Sequence, residues 1–123
     1  MSYEGWKNYE TWAVKLWLDN EEGSSRYWAD ATREAWENAE AETPFTRSER
    51  ARHDLADQLK DEIDQNMPEA ITEAVDGTLY SDLLNAALGE VCWQEIADAM
   101  LSYADADADE KHQYEPWKHA TTV

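Results

Sequence analysis

The chain has 123 residues, and its 28 acidic and 10 basic side chains give a formal charge of -18. An apolar fraction of 42%, with seven Trp and six Tyr, is enough for one modest domain core. A charge this negative disfavours direct binding to nucleic acid or anionic lipid and steers the chain toward cationic partners. The lone Cys92 excludes an internal disulfide, and no apolar run reaches membrane-spanning length.

After Met1, the segment Ser2-Tyr3-Glu4-Gly5 has neither a basic nor an apolar stretch of the kind a secretory signal needs, so a cytoplasmic location is expected. Asn8 is placed to cap a first helix, on which Trp12 with Leu16 and Ala13 with Trp17 fall one turn apart and predict an apolar stripe. That helix is expected to end near Asp19-Asn20, with Glu21-Glu22-Gly23 as the turn and Ser24 or Ser25 capping the second helix. Trp28, Ala31, Ala35, Trp36 and Ala39 repeat at helical spacing before Thr43-Pro44-Phe45 breaks the pattern.

Thr46-Arg47-Ser48-Glu49 has the form of a capping box and opens a third helix, with Leu55, Leu59 and Ile63 on one face. Pro68 fits the first turn of a short fourth helix in which Ala70, Ile71, Ala74 and Val75 are expected inside, and Gly77 ends it. Thr78 or Ser81 starts the next helix, with the stripe Leu83, Leu84, Ala87 and Leu88, closed by Gly89. Trp93, Ile96, Ala97, Met100 and Leu101 give the clearest amphipathic repeat in the chain. The expected fold is therefore all-α, a compact bundle of about five helices spanning residues 1–103. Residues 104–123 are expected to form an acidic, flexible tail with Tyr114 and Trp117 as late contacts.

Charge is distributed unevenly. From Asp61 to Glu110 the chain holds fourteen Asp or Glu and no Lys or Arg. Duplex DNA carries one charge per ~1.7 Å of axis. Acids every three or four residues on a helix give one per roughly 5 Å, and two or three adjacent helices bring the density toward that of a duplex. Asp61, Glu62, Asp64, Glu69, Glu73, Asp76, Asp82, Glu90, Glu95 and Asp98 form the candidate face. One reading is a carboxylate array that competes with DNA or RNA for the basic groove of another protein. The other is a solvated surface adapted to a salty cell.

Signals for other chemistry are weak. Asp105-Ala106-Asp107-Ala108-Asp109 imitates the start of a calcium loop, but Glu110 and Pro116 stand where a Gly and a bidentate Glu are needed. His53, His112 and His119 lack the spacing of a zinc site, so neither a metal nor another cofactor is expected. Gly5, Gly23, Gly77 and Gly89 make no phosphate loop and there is no nucleophile elbow, so the expectation is a protein without enzymatic activity. Trp12, Trp17, Trp28, Trp36 and Trp93 read as core, because an aromatic platform for bases wants basic neighbours and these have acidic ones.

Asn8-Tyr9-Glu10-Thr11-Trp12, continued by Leu16-Trp17-Leu18-Asp19-Asn20-Glu21-Glu22-Gly23, resembles a family of small proteins from phages, plasmids and other mobile elements. The stretch Val91-Cys92-Trp93-Gln94-Glu95-Ile96-Ala97 resembles a second segment of that family. The family has no assigned activity, so the resemblance implies a genetic setting rather than a reaction. It suggests a counter-defence factor of the anti-CRISPR or anti-restriction kind, some of which imitate DNA. The implied partner is a nucleic-acid-binding defence protein of the host with a basic groove, met in the host cytoplasm. The alternative is a structural or assembly module of the element, and a homodimer is left open.

Overall fold

The computed structural model describes residues 2–41 and 44–107. Six helices occur among them: α1 (Tyr9–Asn20), α2 (Glu22–Asn38), α3 (Arg47–Gln65), α4 (Glu69–Val75), α5 (Leu79–Glu90) and α6 (Trp93–Asp107). No strand occurs among the described residues, so the all-α expectation holds. The tail expected from residue 104 instead begins as helix, since α6 continues to Asp107. Residues 108–123, with Tyr114 and Trp117, lie outside the described residues.

The helix starts follow local chemistry. Asn8 Oδ1 accepts the Thr11 backbone N–H at 2.9 Å, filling one of the amides a helix start leaves open. Thr46 and Glu49 form the full capping box: Glu49 N–H donates to Thr46 Oγ1 at 3.1 Å, and Thr46 N–H donates to Glu49 Oε1 at 2.9 Å. The first turn between helices differs from expectation. Glu21 alone, in an extended conformation, links α1 to α2, so Gly23, Ser24 and Ser25 lie inside α2. The end of α2 is held from outside. Arg47 donates to the Trp36 carbonyl from Nε at 3.1 Å and Nη2 at 2.7 Å, while its guanidinium lies 4.1 Å from the Trp36 ring centroid. Gly77, at φ 74°, supplies the left-handed residue that turns the chain from α4 into α5.

The core lies between α1, α2, α3 and α6. Leu18, Trp28, Trp36, Leu55, Leu59, Ile96 and Leu101 are buried in one cluster, with Trp6, Ile63, Trp93 and Met100 packed against it. Helix α6 packs on α1, α2 and α3, so it is central rather than peripheral. Helix α5 packs on α1, and α4 packs on α5. Neither α4 nor α5 contains a buried residue. The inward placement expected for Ala70, Ile71, Ala74 and Leu83 is thus incorrect, since all four are exposed. Trp17 is also misplaced by the sequence stripe: it is 74% exposed, whereas Thr11 and Leu18 take the buried side of α1.

Candidate interaction surface

The acidic candidates divide into three groups. Asp61, Asp64, Glu69, Glu73, Asp76, Asp82 and Glu90 are exposed on α3, α4, α5 and the loop between the last two. Glu62 is half-buried in the seam between α2 and α3, where Oε1 accepts the Tyr27 hydroxyl at 2.6 Å and Oε2 accepts Gln58 Nε2 at 2.8 Å. The Tyr27 hydroxyl is pushed above its ordinary pKa, chiefly because ionising it would break the bond to Glu62 and set two anions together. Glu62 therefore serves the helix seam rather than an open face.

Glu95 and Asp98 correct the expectation outright, each being only 4% exposed. Both lie off the apolar repeat Trp93, Ile96, Ala97, Met100 and Leu101, and the candidate face includes them for their charge. But α6 is enclosed by three helices, so its polar side is enclosed as well. Glu95 Oε1 accepts the Lys7 backbone N–H at 2.9 Å, and both carboxylates take part in further interactions inside the protein.

Glu95 belongs to a joint that sequence reasoning missed. Thr11 is fully buried, donates its hydroxyl to Asn8 Oδ1 at 2.6 Å, and accepts the Cys92 backbone N–H at 2.9 Å. Asn8 Nδ2 donates to the Glu90 carbonyl at 2.7 Å. These bonds clip the start of α1 to the α5–α6 corner. An available signal was Thr11 three residues after the Asn8 cap, where a β-branched hydroxyl in the first turn is placed to bond the cap. Beside the joint, Tyr3, Tyr9 and Trp12 form an aromatic cluster with centroids 5.0–5.5 Å apart.

Eight of the ten Lys and Arg precede Asp61 in the sequence, and Lys111 and Lys118 follow Glu110. Described ion pairs include Lys15–Asp19 at 2.6 Å, Arg26–Glu22 at 2.9 Å, Arg33–Asp30 at 2.9 Å and Arg50–Asp54 at 3.5 Å, all within α1–α3. The exposed acids from Asp61 to Glu90 have no Lys or Arg in their own stretch of sequence. Exposed acids also occur on α1–α3, among them Glu22, Asp30, Glu34 and Asp54, so the asymmetry lies in the supply of counter-charge rather than in where acids occur.

A depression of about 240 Å³ is lined by Phe45, Glu49, Arg50, Arg52, His53 and Gln94. Its single carboxylate, Glu49, is already committed to the Thr46 cap, which holds that carboxyl below its ordinary pKa by hydrogen bonds from Thr46. Among the described residues no three His, Cys, Asp or Glu side chains are grouped to hold a metal ion. No helix among them is long and apolar enough to cross a membrane. No protein-family model matches the chain, and comparison with curated proteins and with solved structures brings up no similar protein.

Proposed function

We propose that the protein is a non-enzymatic acidic inhibitor from a mobile element, which binds a nucleic-acid-processing defence complex of the host and blocks its basic groove. The observation that supports this most is the exposed series Asp61, Asp64, Glu69, Glu73, Asp76, Asp82 and Glu90, presented on α3, α4, α5 and the α4–α5 loop within a stretch that has no base. Carboxylates with no Lys or Arg in their own stretch of sequence project a field that is screened over ~8 Å at physiological salt, so attraction to a cationic groove is salt-sensitive.

The test is retention of host proteins on the immobilised chain at low and high salt, followed by competition with duplex DNA and with RNA. Retention of a nucleic-acid enzyme that DNA or RNA displaces is the expected result. The quadruple variant Glu69→Gln, Glu73→Gln, Asp76→Asn, Asp82→Asn should stay folded and lose the interaction. If no such enzyme is retained at low salt, the proposal fails.

A second reading, an assembly module of the element, is favoured by the exposed side chains Trp17, Leu79, Tyr80 and Leu83. It differs in predicting a complex that salt does not weaken and that the quadruple variant still forms.

A further inference from the structure

The α4–α5 hairpin combines two features that are each ordinary alone. Four large apolar side chains are exposed on it: Leu79 and Tyr80 are each 65% exposed, Leu83 is 57% exposed, and Ile71 is exposed on α4. Soluble domains scatter single apolar side chains over their surfaces, but a row of them on one short hairpin signals a contact site. The row is framed by Glu69, Glu73, Asp76 and Asp82, all exposed.

The hairpin is held from behind. Ser81, Leu84, Ala87 and Leu88 form the half-buried side of α5, which packs on α1, and Asn8 fixes the α5 end through the Glu90 carbonyl. Leu79 and Leu83 are one turn apart, about 6 Å along the axis, and point away from that anchored side. Two packed helices also leave a furrow between their axes, which lie about 8–10 Å apart.

Charge decides the occupant. A second copy of this chain docked face to face would set Glu69, Glu73, Asp76 and Asp82 of each molecule against those of the other, with no base in the stretch to separate them. A cationic partner turns the same residues into attraction. We infer that the α4–α5 hairpin is a docking face for a basic amphipathic helix of a partner protein. Ile71, Leu79, Tyr80 and Leu83 take its apolar side, and Glu69, Glu73, Asp76 and Asp82 take its flanking Lys and Arg. This inference deepens the proposed function, from which it takes only the premise that the partner is a cationic protein.

The experiment uses the whole chain and two synthetic peptides of Leu, Lys and Ala with identical composition. In one, Leu repeats at i, i+3, i+4 and i+7; in the other, the order is shuffled so that no stripe forms. Binding is followed by fluorescence anisotropy, and the contact is mapped by backbone amide shifts. The patterned peptide should bind roughly tenfold or more tighter than the shuffled one and should shift amides between residues 69 and 83. Leu79→Ser and Leu83→Ser should each weaken it by roughly tenfold with helicity unchanged. Glu73→Gln with Asp76→Asn and Asp82→Asn should weaken it and flatten its salt dependence.

Equal binding of the two peptides, indifference to both serine variants, amide shifts confined to other helices, or dimerisation of the chain through this hairpin would each overturn the inference. The two proposals can fail separately. Equal peptide binding with a DNA-displaceable enzyme still retained removes the helix-docking face and leaves the inhibitor. Patterned binding with no such enzyme retained does the reverse.

Discussion

Replacing Thr11 by Val keeps the shape of the side chain and removes its hydroxyl. That hydroxyl is fully buried, donates to Asn8 Oδ1 at 2.6 Å and accepts the Cys92 N–H at 2.9 Å. Asn8 keeps its bond from the Thr11 backbone N–H, so its oxygen retains a partner. The Cys92 N–H, which donates to the Thr11 hydroxyl, is then left facing a methyl group. The lost bond to Asn8 contributes about 1 kcal/mol, and stranding the part-buried Cys92 donor adds about 1–3 kcal/mol, so the expected loss is about 2–4 kcal/mol. For a domain of this size that lowers Tm by roughly 8–16 °C. Thr11→Ser keeps both hydrogen bonds and removes one methyl group, costing about 1 kcal/mol. Thermal unfolding followed by circular dichroism compares the three proteins, and amide exchange at Cys92 should quicken in the Val variant alone. Equal stability of Val and wild type, or a Ser variant as weak as the Val variant, would falsify the assignment of the hydroxyl as the clip between α1 and the α5–α6 corner.

Other consequences can be checked in the same way. Leu59→Ala empties a fully buried site in the core and should cost about 2–5 kcal/mol by urea unfolding, whereas Leu83→Ala on the open side of α5 should stay within about 0.5 kcal/mol. Gly77→Ala meets no atom within 4 Å, so its cost of about 1 kcal/mol comes from the positive φ alone and should not depend on side-chain size in Gly77→Ser. The depressed pKa of Glu49 means that its contribution to stability is present above the ordinary Glu range and is lost as pH falls through the folded-state value. Glu49→Gln should therefore flatten the acid limb of the stability curve. The raised pKa of Tyr27 has the opposite sense: its contribution is present below the ordinary tyrosine value and disappears as pH climbs through the folded-state one. Tyr27→Phe should remove that alkaline dependence, with tyrosinate absorbance as the readout.

Local signals carried much of the fold. The Asn8 cap, the Thr46–Glu49 box and the Trp93–Leu101 repeat are decided by neighbours in sequence, and the structure has all three as expected. What periodicity cannot supply is the identity of the covering surface. The stripe Leu83, Leu84, Ala87 and Leu88 is helical as read, yet Leu84, Ala87 and Leu88 are half-buried on a helix that packs on α1, while Leu83 stays exposed. The opposite error befell Glu95 and Asp98, whose polar side became interior because three helices surround α6. Trp17 fails for the same reason, since Thr11 and Leu18, rather than the Trp12–Leu16 stripe, turned out to face the neighbouring helices. The candidate acidic face was legible where the acids lie on outer helices and illegible where they lie on the central one.

Placing α6 at the centre also sets the order in which the molecule can be built. Lys7, Asn8 and Thr11 find their partners 88, 82 and 81 residues further along. During synthesis α1, α2 and α3 emerge well before the helix that joins them, with Trp28, Trp36, Leu55 and Leu59 still lacking their final neighbours. Chain closure over so many residues is slow compared with the growth of local helices. The emerging chain thus spends that interval with its aromatic side chains in water, kept apart from other copies by the repulsion of its own acids.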